Sequence, residues 1–159
     1  MRTLSIILLA VFLCLPAATC AKTKKAKFQN QTSLIIREYC DSSGVQIRYG
    51  LKQKKKTLLA PQYRLRFNEN VRIFVFYTEQ EIYIVDEFGK TLYSKTADEV
   101  WRGAEVLIEP VREREDVQCY EVNMFFWDND LIMQKFGTFF YSDGHLYQIL
   151  TAPKIIRLN

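Results

Sequence analysis

Residues 71–93, VRIFVFYTEQEIYIVDEFGKTLY, decide the fold. Side chains alternate between the two faces of a β-strand, and residues 71–77 place apolar groups on both faces. Such a strand is covered on both sides, unlike the strands of a sheet that has one face in water. A second apolar run spans residues 82–85, and a turn-forming segment with a glycine precedes a third strand from Thr91. The stretch predicts an antiparallel meander at the centre of the chain.

The rest of the chain repeats this pattern of short apolar runs and turns. Residues 33–40 and 45–51 flank a cluster of turn residues, which predicts a hairpin. Asp143 and Gly144 together are a strong signal for a type I′ hairpin turn. About ten short strands with turns every 8–12 residues are typical of sandwiches and barrels. The predicted fold class is therefore all-β, either an antiparallel β-sandwich or a small β-barrel built from meander hairpins.

Two local signals depart from the strand pattern. Pro61 has no backbone N–H to donate and is expected to end strand pairing where it stands. Thr96 and Glu99 have the spacing of a capping box, which predicts a short helix over residues 97–102. At most this one helix is expected.

Residues 1–21 have the three-part layout of a secretory signal peptide. Arg2 supplies a positive charge, residues 4–15 an apolar run too short to span a membrane, and residues 16–21 small side chains. Cleavage after this segment is one expectation. The alternative is a degenerate bacterial lipobox, in which Cys20 is lipidated and anchors the chain. Either route predicts a secreted, periplasmic or cell-surface protein with no transmembrane segment in the mature chain.

The remainder divides into a short tether and one domain. Residues 22–31 are polar and basic, which predicts a flexible tether. Asn30 begins an Asn-Gln-Thr sequon, a glycosylation site if the host is a eukaryote. Residues 32–159 have the length of a single domain, which we expect to be all-β.

The cysteine count predicts a disulfide bond. Cys40 and Cys119 remain after the leader is processed, and an even pair in an oxidising compartment is usually bridged. Such a bridge closes a loop of about 80 residues and would add about 4 kcal/mol to stability in the chain-entropy description. With one histidine and no close cysteine pair, the sequence indicates no metal site and no cofactor.

Charge is unevenly distributed, although the formal net charge is only +4. Two basic runs extend from Lys22 to Lys27 and from Lys52 to Lys56. They are interpreted either as solvated segments or as weak contacts with an anionic surface. Neither run interleaves aromatic residues or belongs to a nucleic-acid motif, which argues against a nucleic-acid partner.

Catalytic motifs are absent from the sequence. His145 is the only histidine and lies in a predicted tight turn, where its neighbours serve the turn itself. Asp128 and Asp130 flank Asn129, but no glycine or glutamate follows at the spacing of a calcium loop. No residue pattern selects a pair of catalytic carboxylates, so the sequence predicts a protein that is not an enzyme.

Aromatic residues are abundant: eleven Phe, nine Tyr and two Trp. Some strands carry aromatics on both faces, and only one face can enter a single core. The other face meets either a second packed layer or a partner. The candidate contacts with a partner or ligand are Trp101, Phe125, Trp127, Phe139 and Tyr141.

These observations predict an exported β-domain that binds a protein or glycan at the cell envelope or outside the cell. One alternative is a small β-barrel that carries an apolar ligand in its interior. The other is a hydrolase that uses two carboxylates across a cleft.

Overall fold

The computed structural model describes residues 26–111, 117–149 and 155–158. These residues form eleven β-strands and contain no helix. The strands are β1 (Thr32–Asp41), β2 (Gly44–Gln53), β3 (Lys56–Asn68), β4 (Ile73–Tyr77), β5 (Glu81–Asp86), β6 (Thr91–Thr96), β7 (Arg102–Pro110), β8 (Cys119–Asp128), β9 (Asp130–Ser142), β10 (His145–Ile149) and β11 (Ile155–Arg157). The predicted all-β class is confirmed. No helix in the described ranges is long and apolar enough to cross a membrane.

The strands form two antiparallel meanders. Strands β1 to β6 follow one another in a six-stranded sheet, and β7 to β11 follow one another in a five-stranded sheet. The inner faces of the two sheets share one buried cluster, so the sheets pack face to face as in a β-sandwich. Ile73, Val75 and Tyr77 enter this cluster from the first sheet, and Val122 and Met124 enter it from the second.

The predicted central meander is confirmed, with both faces of its first strand covered. All five residues of β4 are buried. Phe74 and Phe76 point away from the inter-sheet cluster and join a second cluster with Leu51, Tyr63 and Val85. The outer face of β4 and β5 is therefore covered by residues of β2 and β3, which belong to the same sheet.

The bend that permits this covering lies at Pro61, inside β3. The prediction that this proline ends pairing is wrong, because β3 continues through it. Pairing jumps from Leu51–Leu59 to Tyr49–Tyr63, so extra residues of β3 bulge around the proline. Gly50 lies beneath the bulge, where an added Cβ would be 2.5 Å from the Leu59 carbonyl oxygen. No other residue fits there without moving the backbone.

The predicted helix at residues 97–102 does not form. The N–H of Ala97 donates to the Gln80 carbonyl at 2.7 Å, and the N–H of Trp101 donates to the Glu79 carbonyl at 2.7 Å. The segment thus takes its hydrogen-bond partners from the β4–β5 connection, and Trp101 is buried in the inter-sheet cluster. This tertiary packing overrides the local capping signal.

Residues 26–31 pack against the first sheet, so the prediction that they belong to a flexible tether is wrong for this part of the chain. The Phe28 ring stacks on Phe74 with centroids 3.9 Å apart. The Gln29 N–H donates to the Glu87 carbonyl at 2.8 Å, and its side-chain amide donates to the Glu87 carboxylate at 2.9 Å. Asn30 is exposed and adopts a positive φ of 53°. The predicted signal peptide, Cys20 and the rest of the predicted tether lie outside the described residues.

The predicted disulfide does not form, although both cysteines lie in the described part of the chain. Cys40 is exposed near the end of β1, an edge strand, and pairs with Val45. Cys119 is buried at the start of β8, an interior strand of the other sheet, and pairs with Phe140. A disulfide needs Cα atoms within about 7 Å of each other, and an even cysteine count does not supply that proximity.

Candidate functional site

An apolar patch occupies the outer face of the five-stranded sheet. On β8 the inner side chains alternate with outer ones, which include Phe125 and Trp127. Their cross-strand partners on β9 share that face, and Leu107 projects from β7 beside them. We define the outer apolar patch as Leu107, Phe125, Trp127, Leu131 and Met133.

The patch is well exposed. Trp127 and Leu131 are each 56% accessible, Met133 is 60% accessible and Leu107 is 40% accessible, whereas Phe125 is half-buried. Phe125 pairs directly with Met133, and Trp127 with Leu131. These large apolar side chains therefore form one contiguous surface, not scattered single residues.

A bulge in β7 seats the Trp127 ring. Gly103 has φ +63°, and an added Cβ would be 3.3 Å from Trp127 Cδ1. The Gly103 N–H donates to the Glu79 carboxylate at 2.9 Å, which ties the bulge to the β4–β5 connection. Pairing between β7 and β8 is irregular from Arg102 to Glu105, so the bulge leaves space for the indole.

Acidic residues surround the Trp127 end of the patch. Asp128 and Asp130 are exposed on either side of Asn129, which has φ 60° and forms the turn expected there. A neighbouring cleft of about 630 Å³ brings in residues of the β6–β7 connection. Its lining comprises Glu99, Val100, Arg102, Trp127, Asp128 and Asn129. The patch therefore has an apolar centre and a mainly acidic rim at this end.

The outer face changes character away from Trp127. Lys135 and Glu121 form an ion pair there, and Phe140 stacks on Tyr147 with centroids 4.9 Å apart. Between these groups and the patch lies Asn123, which is buried and whose Oδ1 atom has no hydrogen-bond partner among the described residues. An unpaired buried amide oxygen is costly, and it lies at the margin of the patch.

The five predicted contact residues separate into three groups. Trp101 and Phe139 are buried in the inter-sheet cluster, at 5% and 0% accessibility, so they are core residues and present no contact surface. Tyr141 is half-buried beneath the Arg72 guanidinium, which lies 4.2 Å from the ring centroid and donates to the phenol oxygen at 2.7 Å. Only Phe125 and Trp127 come together at the surface.

Sequence reasoning missed three members of the patch: Leu107, Leu131 and Met133. The signal was present for two of them. Asp128 pairs with Asp130, so the tight turn fixes which β9 residues face Trp127 and Phe125. The placement of Leu107 depends on how β7 pairs with β8 across a longer connection, and the sequence alone does not reveal that pairing.

A second cleft, of about 660 Å³, is polar and contains three acids: Asp41, Glu79 and Glu81. Each is held by a neighbour. Ser43 hydrogen bonds lower the pKa of Asp41, whereas a general acid needs a raised pKa. Glu79 accepts the Gly103 N–H, and Glu81 accepts the Tyr63 hydroxyl at 2.7 Å.

The tyrosines of this region serve as structural donors. Burial is the main cause that raises the pKa of Tyr63 and of Tyr77, and the carboxylates that accept hydrogen bonds from their hydroxyl groups raise it further. Tyr77 donates to Glu105 at 2.8 Å and thereby joins β4 to β7. In the described ranges no group of three or more His, Cys, Asp or Glu residues could hold a metal ion.

No family model matches this chain, and neither curated proteins nor solved structures match it.

Proposed function

We propose that this chain is an exported, non-enzymatic binding module whose outer apolar patch contacts a protein partner at the cell envelope or outside the cell. The observation that carries the proposal is the exposure of Trp127, Leu131 and Met133 as one continuous surface. Folded monomers rarely leave large contiguous apolar patches in water, and such patches commonly mark interaction sites. Trp is also one of the residue types that are enriched among binding hot spots.

The chemistry of the patch favours a protein over a glycan. Leu107, Leu131 and Met133 have no group that bonds strongly to sugar hydroxyls. The acidic rim at Asp128 and Asp130 would orient a partner that has basic residues around an apolar centre. In composition the patch thus resembles a protein interface, which has an apolar core and a polar rim.

An external patch is also better supported than an internal ligand site. The space between the sheets contains large buried side chains from both, including Tyr77, Met124 and Phe139. A carrier of an apolar ligand would need that space to be open. The binding-module proposal instead uses apolar side chains that the fold leaves in contact with water.

The test is site-specific photo-crosslinking in the native host. A photoreactive benzophenone side chain replaces Leu131 in one variant and Arg37, an exposed residue of β1, in the matched control. We expect a discrete protein adduct from position 131 and none from position 37. Adding Trp127→Ala to the first variant should remove the adduct.

Two results would contradict the proposal. One is an equal yield of adducts from both positions, which would indicate nonspecific collision. The other is an adduct at position 131 that survives Trp127→Ala. An adduct of twice the chain mass would identify a second copy of this protein as the partner.

A further inference from the structure

The fold brings the segment that follows Lys27 against the second basic run. The N–H of Lys54, in the β2–β3 turn, donates to the Gln31 carbonyl at 3.1 Å. Gln31 lies four residues after Lys27, and the β2–β3 turn lies within the second basic run. Lys27, the last residue of the first run, is thus close along the chain to a contact with the second.

The β5–β6 turn completes the same surface. The Phe88 carbonyl accepts hydrogen bonds from the Gln53 amide at 3.2 Å and from the Thr32 hydroxyl at 3.1 Å. Gly89, with φ +83°, lies against Thr32 and Leu58. The Phe88 side chain itself is 37% accessible, so an aromatic ring projects among the basic residues.

This surface, which we call the basic end, carries an excess of positive charge. Its exposed lysines are Lys27, Lys52, Lys54, Lys55, Lys56 and Lys90. The Lys90 ammonium donates to the Leu158 carbonyl at 2.8 Å, and its charge interacts with the buried Asp86 carboxylate. Glu87 is also buried and is paired with Arg72 at 3.1 Å. The excess therefore rests on the lysines outside the β5–β6 turn.

The basic end lies at the opposite end of β5 from Trp127. Trp127 pairs with Arg102, and the adjacent Gly103 bonds to Glu79, which lies two residues before β5. Strand β5 runs from Glu81 to Asp86, where the basic end begins. A strand of this length separates the basic end from the Trp127 end of the patch by roughly 17 Å.

We propose that the basic end binds the anionic headgroups of a phospholipid bilayer, with Phe88 at the interface. Juxtaposed lysines attract an anionic leaflet, and an exposed aromatic ring suits its headgroup region. The sequence upstream of Ala26 adds three more lysines, Lys22, Lys24 and Lys25. The six residues from Cys20 to Lys25 could span at most about 20 Å, so an attachment at Cys20 would keep the first described residues within that distance of the membrane.

This orientation is independent of the partner proposed for the patch, yet it suits that function. With the basic end on the bilayer, Trp127 faces away from it. A nucleic acid is less well matched, because the basic end offers one partly exposed ring and no series of aromatics on which bases stack.

The test measures binding of the exported chain, beginning at Lys22, to sedimenting vesicles. One vesicle is phosphatidylcholine alone, and the other also contains phosphatidylglycerol. We expect binding only to the anionic vesicle, and we expect it to be lost as salt rises from about 0.1 M to about 1 M, because the screening length falls from about 10 Å to about 3 Å.

Matched neutralisations locate the site. Lys55→Gln should weaken vesicle binding about fivefold, the effect of one lysine near an anionic surface. Arg37→Gln removes the same charge from mid-β1 and should change binding less than twofold. Phe88→Ser should weaken binding but leave its salt dependence in place. Crosslinking at position 131 should be unaffected by Lys55→Gln, so the two proposals succeed or fail separately.

Several outcomes would overturn the proposal. They are equal binding to both vesicles, equal losses for Lys55→Gln and Arg37→Gln, or binding to an oligonucleotide without binding to anionic vesicles. The last result would identify the basic end as a nucleic-acid surface.

Discussion

The two sheets treat their outer faces differently. The first sheet folds β1, β2 and the start of β3 over its own outer face, so Phe74 and Phe76 are buried. Among the described residues, nothing covers the second sheet in this way at the end of β8 and β9, and Trp127 and Met133 remain in water. Both sheets have aromatic residues on both faces of a strand, but only one of them supplies its own second layer.

This difference shows that aromatic content on an outer face has two uses. Where the chain returns over the face, the aromatics contribute to stability through burial. Where it does not, the same residue types remain available to a partner at little cost to folding, because the inner face alone already packs a core. Substitutions on the two faces should therefore change different measurements.

The largest effect is expected for Phe74→Ala. Phe74 is buried and contacts both Phe28 and Phe67 as stacked rings, so its removal leaves a cavity. We expect a loss of about 3–5 kcal/mol in the free energy of unfolding. Chemical denaturation measures it, and Val75→Ala, which faces the other sheet, serves as a smaller but clear comparison. An unchanged midpoint for Phe74→Ala would mean that the outer layer is not stably packed.

Phe28→Ala should have the next largest effect. The ring stacks on Phe74 but is only part-buried, so we expect a loss of about 1–2 kcal/mol. Deleting residues 22–25 is the matched comparison and should shift the melting temperature by no more than a few degrees. If both changes are neutral, residues 26–31 are part of a flexible tether, as the sequence first suggested.

Asn123→Leu should stabilise the protein. The Asn123 Oδ1 atom is buried without a hydrogen-bond partner in the part of the chain that the structure describes, and an apolar side chain of similar size removes that cost. We expect a gain of about 1 kcal/mol in the free energy of unfolding. Asn123→Asp should lower stability, because it buries a charge at the same position. A loss of stability in Asn123→Leu would show that the amide oxygen is satisfied in solution.

The smallest stability effect is expected for Met133→Ser. Met133 is 60% accessible, so its removal should change the free energy of unfolding by no more than about 0.5 kcal/mol. The same variant should reduce the crosslinked adduct formed from position 131. A large loss of stability would place Met133 in a packed layer and would remove the contrast between the two sheets.

Local sequence was sufficient for the strands and most turns. The central meander follows from alternation and turn chemistry, and the hairpin at Asp143 and Gly144 forms with φ of 51° and 77° at those residues. Both angles are positive, as a type I′ turn requires. Such features depend on a few neighbouring residues, and neighbouring residues are what a sequence displays directly.

Local signals failed where distant segments supplied the partners. Thr96 and Glu99 have a helix-capping pattern, but the backbone there bonds to Glu79 and Gln80 and buries Trp101. The even pair Cys40 and Cys119 implied a bridge, yet the two residues lie in different sheets. Neither spacing nor count encodes which segments meet in space.

The sequence by itself determined an all-β chain with aromatics on both faces of several strands. The sequence also predicted that Phe74 is covered, but only the tertiary structure decided which segments cover it and that Trp127 is exposed. The reason is the long-range return of β1–β3, which depends on the bulge at Pro61 and the close approach at Gly50. Burial is a property of the segments that meet, so two strands with similar patterns acquired different roles.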